Sequence, residues 1–525
     1  MAKNLSFDSR WLILFVIILS VTITTVMMNN NHNDNTANQI TSTIDADNGD
    51  LKINWDLYPT TNIELEDSLE INTPGTYHIT GSLSNGMIHI AAKTSDVVRL
   101  QLDNVSIKNS TGPAILCDSI DDLVIELIGE NILEDGTTYT SISDSDVTGS
   151  LFSKADTTIK GDGSLIVKAN YQDAIVSKDD LKIDGGKYNI TANDDGIRGT
   201  DSVYITNGDI TIVAKADGVK STNETTSGKG FVLIEDGNFS INAGAKGIKA
   251  INSILIYDGK FNIKSIDDAI HSNNYIGIIN GDINISANDD GIHADRELII
   301  DDGKITIAKA YEGLEAQRIV INDGTISLKT TDDGINAGGG ADESSNNRPG
   351  ANAFDADENC SIEINGGDLY VNAAGDGIDS NGWLNINGGN IVVDGPTNNG
   401  NGALDAGMGI VMNGGKAIAI GASGMAESLG SSSSILNVSI YLDTTEPEDT
   451  SIIIKSSNNE IIFEHTSAKS FNHIAAGSPK FTLGETYTLY INNEKSKEFT
   501  ISDITTTVGN SKTNQSMSPM RPFGN

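Results

Sequence analysis

Between residues 180 and 420 apolar side chains recur at every second place in short runs, as in Tyr188/Ile190, Ile283/Ile285 and Ile305/Ile307, with polar Asn, Thr or Ser between them. A period of two is that of a strand burying one face. Each run follows a Gly turn and a shorter apolar segment such as Leu298-Ile299-Ile300, and leads into an Asp-Gly turn and an Ile-x-Ala segment. Apolar spacing of three and four, sustained over ten or more residues, is absent from this region, which excludes a helical solenoid.

The three-strand unit repeats. Its marker is a tetrapeptide seen as Asp194-Asp195-Gly196-Ile197, Asp267-Asp268-Ala269-Ile270, Asp289-Asp290-Gly291-Ile292, Asp332-Asp333-Gly334-Ile335 and Gly375-Asp376-Gly377-Ile378, with Ala216–Val219, Ala245–Ile248 and Tyr311–Leu314 as variants. From Asp195 the second position advances by 22, 29, 22, 22, 22, 21 and 43 residues. Two places after the tetrapeptide stand only small residues, including Gly199, Ser221, Ala250, Ser272, Ala294, Ala337 and Ser380. This predicts an all-β parallel β-helix in which each coil buries its apolar face against its neighbours. The expected organisation is a β-helix over 51–430, with a strand cap at 55–85 and degenerate coils at 101–167. A small antiparallel β domain follows over 435–508, and 509–525 is a disordered tail.

Trp11 to Met28 is an uncharged run of 18 residues, preceded by Lys3 and Arg10 and followed by no Lys or Arg before Lys52. Its length is close to the ~20 residues a bilayer core requires. Residues 1–28 are therefore expected to be a membrane anchor, or alternatively a cleaved signal segment, with 29–50 a disordered tether and the rest outside the cell. Cys117 and Cys360 share no short metal spacing and are expected to be isolated core residues.

Composition narrows the chemistry. Asp and Glu number 72 against 34 Lys and Arg, a formal charge of −38, and Gly numbers 54 in 525 residues. Such a surface repels phosphate backbones, so nucleic acid is excluded as a partner. In a parallel coil, equivalent side chains stack about 4.8 Å apart, so the repeat turns its acids into ladders of like charge. Calcium, which takes six to eight oxygen ligands, suits such ladders. The candidate ligands are Asp289, Asp290, Asp332, Asp333, Asn336, Asp355, Asp376, Asp379 and Asp405, densest beside the insertion at 338–357. The alternative is that these Asp residues only shape turns.

A second ladder follows the tetrapeptide: Arg198, Lys220, Lys249, His271, His293, Glu315, Asn336, Asp379 and Asp405, basic at one end and acidic at the other. Lys220 and Lys249 are candidate contacts for a glycan carboxylate. Two stacked His without a third ligand are expected to be surface residues, with a transition-metal site as the alternative. Phe231, Tyr275 and Trp383 share one place in the coil and are candidate platforms for sugar faces, with packing at the coil edge as the alternative for the first two.

The serial Asp-Asp-Gly-Ile and Ile-Asn-Gly-Gly coils, Asp332 to Gly340 before the insertion, Gly375 to Gly382, and Gly484-Glu485-Thr486-Tyr487-Thr488-Leu489 resemble the bacterial cell-surface carbohydrate-binding domain family. The resemblance spans about residues 50–508. It implies a right-handed parallel β-helix similar to pectate-type polysaccharide lyases, bound calcium, and association with cellulose or acidic sugars such as polygalacturonate. The chain departs from the pattern where Lys246 interrupts the acidic ladder and Thr222 to Gly230 are inserted. The expected function is extracellular, calcium-dependent polysaccharide binding without turnover. The alternatives are a calcium-dependent lyase with Arg198, Lys220 or Lys249 as base, and a structural or adhesive solenoid.

Overall fold

A computed structural model describes residues 53–338 and 356–510. The apolar run at 11–28, the tether, most of the insertion with Asp355, and residues 511–525 lie outside the described residues.

The chain winds into a parallel β-solenoid of about 15 turns. Three sheets form its walls. In one coil these are Ile248–Ala250, Ser253–Ile256 and Lys260–Ser265, each paired in parallel with its counterparts one coil on, Ile270–Ser272, Tyr275–Ile278 and Asp282–Ser286. The expected period of two is realised in the third sheet, where Phe261 and Ile263 point inward and Lys260, Asn262 and Lys264 outward. The small residues after the tetrapeptide are buried at the crowded corner between the first and second sheets. Winding begins earlier than the clear repeats: Thr60–Leu65 already pairs in parallel with Gly75–Leu83.

Two kinds of glycine permit the coil. Gly259 precedes the third-sheet strand with φ +126°, and its amide is accepted by the Asp258 carboxylate at 2.8 Å. Gly313, in the tetrapeptide, is needed for another reason: a Cβ there would lie 2.3 Å from the carbonyl oxygen of Gly334 in the next coil. The first is a conformational demand and the second one of close approach.

The core is a continuous column of Ile, Leu, Val and Ala, in which the Phe239 and Phe261 rings stack at 4.6 Å. Cys117 and Cys360 are free and buried, as isolated core residues. The C-terminal region closes the column. The last coil strand, Lys416–Gly421, is met antiparallel by Phe471–Gly477, which also pairs with Asn437–Glu446. Ile418 and Ile420 share a second core with Val438, Ile440, Phe463 and Phe471, under a separate four-stranded antiparallel sheet. An exposed coil edge would offer unpaired amides to any passing strand, and this cap occupies it.

Phe261→Ala should remove a fully buried ring stacked on Phe239 among aliphatic chains, lowering stability by about 3–5 kcal/mol. A shift of under ~1 kcal/mol in denaturant unfolding would mean that the column does not carry the fold.

Candidate functional site

Two rows of side chains line the corner where the tetrapeptide enters the first sheet. The first contains Asp173, Asp195, Asp217, Lys246, Asp268, Asp290, Glu312, Asp333 and Asp376. Its logic is visible in the backbone. The Oδ1 of Asp173 accepts the amide of Asp195 at 3.1 Å, that of Asp195 the amide of Asp217 at 3.1 Å, and that of Asp217 the amide of Lys246 at 3.0 Å. The same bond joins Asp268 to Asp290, Asp290 to Glu312 and Asp333 to Asp376. A carboxylate one methylene from the backbone reaches exactly one coil when its partner is the next amide, so much of the acid content is architectural. The second oxygen of each carboxylate remains to be satisfied.

The neighbouring row does this in one half of the solenoid only. Strand register stacks Arg198, Lys220, Lys249, His271, His293, Glu315, Asn336, Asp379 and Asp405 in consecutive coils, as the repeat predicts. Arg198 lies 3.2 Å from Asp173 Oδ2, and Lys220 3.1 Å from Asp195 and 2.9 Å from Asp217. Lys246, the residue that breaks the acidic ladder, places its ammonium 2.8 Å from Asp267 and 2.5 Å from Asp268. His271 Nδ1 is 2.8 Å from Asp268. Although burial opposes it, these contacts hold the Asp268 carboxyl well below its usual range.

Beyond His293 the cations stop. Asp333, Asp376, Asp379 and Asp405 line successive coils, with Glu312 behind Asp333 and Glu427 approaching from the loop after the last repeats. Burial, reinforced by neighbouring acids, raises Asp333 to about 8, Asp379 to about 7, Asp376 to about 6 and Glu427 to about 7. Burial also raises Glu312, with Glu315, Asp290 and Asp333 adding to it. Like charges about 5 Å apart repel by about 3 kcal/mol at an effective dielectric of ~20, which adds to burial in retaining the protons. Asn336 donates to Glu312 Oε2 at 2.9 Å, while its own Oδ1 is buried without a hydrogen-bond partner. Gly375 stands where other coils carry Asp, Ala or Tyr311. A Cβ there would lie 2.3 Å from Oδ1 of both Asp332 and Asp333, so the two carboxylates converge on this bare position.

Oxygen donors alone, several carboxylates and a neutral amide oxygen, fit a hard divalent cation such as calcium. Asp332, Asp333, Asn336, Asp376, Asp379 and Asp405 belong to this group. Asp290 does not: its Oδ2 faces His293, and Asp289 instead clusters with Asp267 and Asp268. Glu427 has no place in the 22-residue period, so no spacing marked it.

The aromatic candidates separate. Trp383 is 38% exposed and sits four residues beyond Asp379 on the same coil. Phe231 and Tyr275 share its register but are 1% and 9% exposed, packed with Leu233 and Leu255 against Tyr204 and Ile299. They cannot present a face to a sugar, and the expectation that they do is corrected: mutual packing on the outer side of the second sheet covers them. His271 and His293, expected at the surface, are buried at 4% and 0% exposure. Lys249 makes no ion pair among the described residues, whereas Arg198 and Lys220 are engaged by the acidic row. Burial alone would lower Lys220, yet Asp195 and Asp217 hold it above its usual range, the opposite of what a general base needs. A separate shallow groove of about 480 Å³ follows the glycine turns past Asp258, Lys260, Asp282 and Lys304, on another edge of the coil.

The acidic half dictates a pH response. The unfolded chain ionises its carboxyls near pH ~4, while the folded protein keeps protons on Asp333 up to about 8. The folded state therefore binds more protons across this interval, so metal-free stability falls as the pH rises from about 4 to about 8. In chelator, the melting temperature should drop over this range, and Asp333→Asn should flatten the drop. A profile independent of pH would contradict the assignment.

Comparison with known proteins places the chain in a family. A 131-residue segment is 33% identical to a carbohydrate-binding domain-containing protein of Acetivibrio thermocellus, covering 24% of this chain and 46% of that relative, so less than half of the relative's length is matched. Among solved structures, a polysaccharide lyase-like protein from C. thermocellum, determined as a gadolinium derivative, aligns with a TM-score of 0.36 at 29% identity, covering 43% of this chain and 90% of that one. A sequence model of the family described as carbohydrate-binding domain-containing protein matches residues 65–313 and 252–356. With more than half of its length within that match, the chain belongs to the carbohydrate-binding domain-containing protein family.

Proposed function

We propose that the chain is a calcium-dependent polysaccharide-binding protein of the cell surface that takes acidic, uronate-containing glycans along the row from Lys249 to Asp405. Family membership supports the polysaccharide. The observation that carries the rest is the asymmetry of the row: carboxylates matched by Arg198, Lys220, Lys246 and His271 at one end, and unmatched at the other. Calcium at Asp333, Asn336, Asp376, Asp379 and Asp405 would neutralise the second group and retain coordination positions for glycan carboxylates, which the acidic surface would otherwise repel. Lys249 would offer a fixed cation five coils away, about 24 Å along the axis. Trp383 would lie against a sugar ring near the calcium. Export rests on the apolar run at 11–28 and its preceding basic residues.

A lyase would use the same calcium to acidify a sugar C–H next to a carboxylate, and needs a base close by. Lys249 is the one cation of the three candidates not held by the acidic row, and it lies far from the unmatched carboxylates. Binding without turnover is therefore the reading adopted.

Calorimetry should register calcium binding to the wild type, weakened roughly tenfold or more by Asp379→Asn, and polygalacturonate binding only once calcium is present. Trp383→Ala should weaken glycan binding while leaving calcium affinity unchanged. Glycan binding that persists in chelator would overturn the calcium requirement, and steady growth of unsaturated-uronate absorbance would replace binding by lyase activity.

A further inference from the structure

The junction between the two halves of the row holds a different chemistry. His293 is fully buried; carboxylates stand within 4 Å of both ring nitrogens, none of them aligned for a regular hydrogen bond. Its Nδ1 lies 2.9 Å from Glu315 Oε2 and 3.4 Å from Asp290 Oδ2, and the three donor atoms all fall within 4.8 Å of one another. Two ligands bound at about 2.0 Å in a tetrahedral site stand roughly 3.3 Å apart, so these separations are those of adjacent ligands on one metal ion.

We propose that His293, Asp290 and Glu315 form a transition-metal site, of the class taken by Zn²⁺, separate from the oxygen-only group at Asp333 to Asp405. An imidazole nitrogen selects borderline metals such as zinc over calcium, which prefers oxygen throughout. The surrounding groups fix the ligands. Asp290 Oδ1 accepts the Glu312 amide at 3.0 Å, which orients its Oδ2 toward His293. Asp295 Oδ1 is 3.4 Å from His293 Nε2, so a carboxylate stands behind the ring on the side away from the metal. The Glu315 and Asp295 side chains are 16% and 23% exposed, giving the buried imidazole an edge open to solvent. The stacked His271, by contrast, is tied to Asp268, which already receives Lys246. Three protein ligands leave a fourth position for water or a ligand oxygen.

The test is calorimetric titration of the full chain with Zn²⁺, after chelator treatment and in saturating calcium, with Co²⁺ substituted to report coordination by its visible absorption. The expected result is zinc binding that calcium does not displace, a Co²⁺ spectrum of tetrahedral nitrogen–oxygen type, and at least tenfold weaker binding in His293→Gln. Because His293 is buried, Glu315→Gln at the partly exposed edge is the second variant. It should lose the zinc-dependent rise in melting temperature seen in the wild type while binding calcium normally. Zinc binding that calcium abolishes, or that both variants retain unchanged, would overturn the proposal.

Discussion

Parallel stacking in register is the constraint on which the rest of the structure depends. Each residue sits about 4.8 Å from its equivalent in the next coil, so a residue chosen once per coil is chosen as a neighbour of itself. For Ile this is favourable, since identical chains fill a column. For Asp it is favourable at one oxygen, which binds the next amide, and unfavourable at the other, which faces its own kind. The second oxygen must find a cation, a proton or a metal. Arg198, Lys220 and Lys246 supply the first at one end, and burial enforces the second at the other. Between them stands His293, able to accept either proton or metal.

The coil was legible in the sequence because its demands recur at a fixed interval. The 22-residue advance, the small residues at the corner and the alternating strand each reported a packing requirement, and the register of Arg198 through Asp405 follows from them. Depth was less legible. All four residues of Phe231–Ile234 and of Tyr275–Ile278 are buried, two inside the column and two under one another on its outside, and no linear period separates those cases. The same applies to His271 and His293, whose neighbours from adjacent coils close over them. The role of Asp in the tetrapeptide is half legible: the sequence offers turn formation and calcium binding as alternatives, whereas one carboxylate oxygen accepts the amide of the next coil and the other meets a basic side chain in one half of the row. Glu427 and the antiparallel strand that seals the last coil lie beyond the repeat, where spacing carries no information.

Sequence and function meet in the change along the row. A repeat protein with identical coils would have identical sites throughout and little ground for preferring any of them. Here the coils keep one backbone while the outward residue shifts from Arg to Lys to His to Glu to Asp, so a rigid scaffold carries a gradient of charge. A long anionic polymer could register on such a gradient, with ammonium contact at one end and metal-bridged contact at the other. Family membership states that carbohydrate is the relevant class, and the gradient states how an acidic one would be held.

Under the proposed function the acidic half of the row, unlike the basic half, takes a divalent cation. A crystal structure of the protein soaked in calcium tests this most directly. Metal density is expected between Asp333, Asn336, Asp376 and Asp379, and none beside Asp195 or Asp217, where Lys220 already stands. Calcium beside Lys220, or only water among Asp333, Asp376 and Asp379, would contradict it.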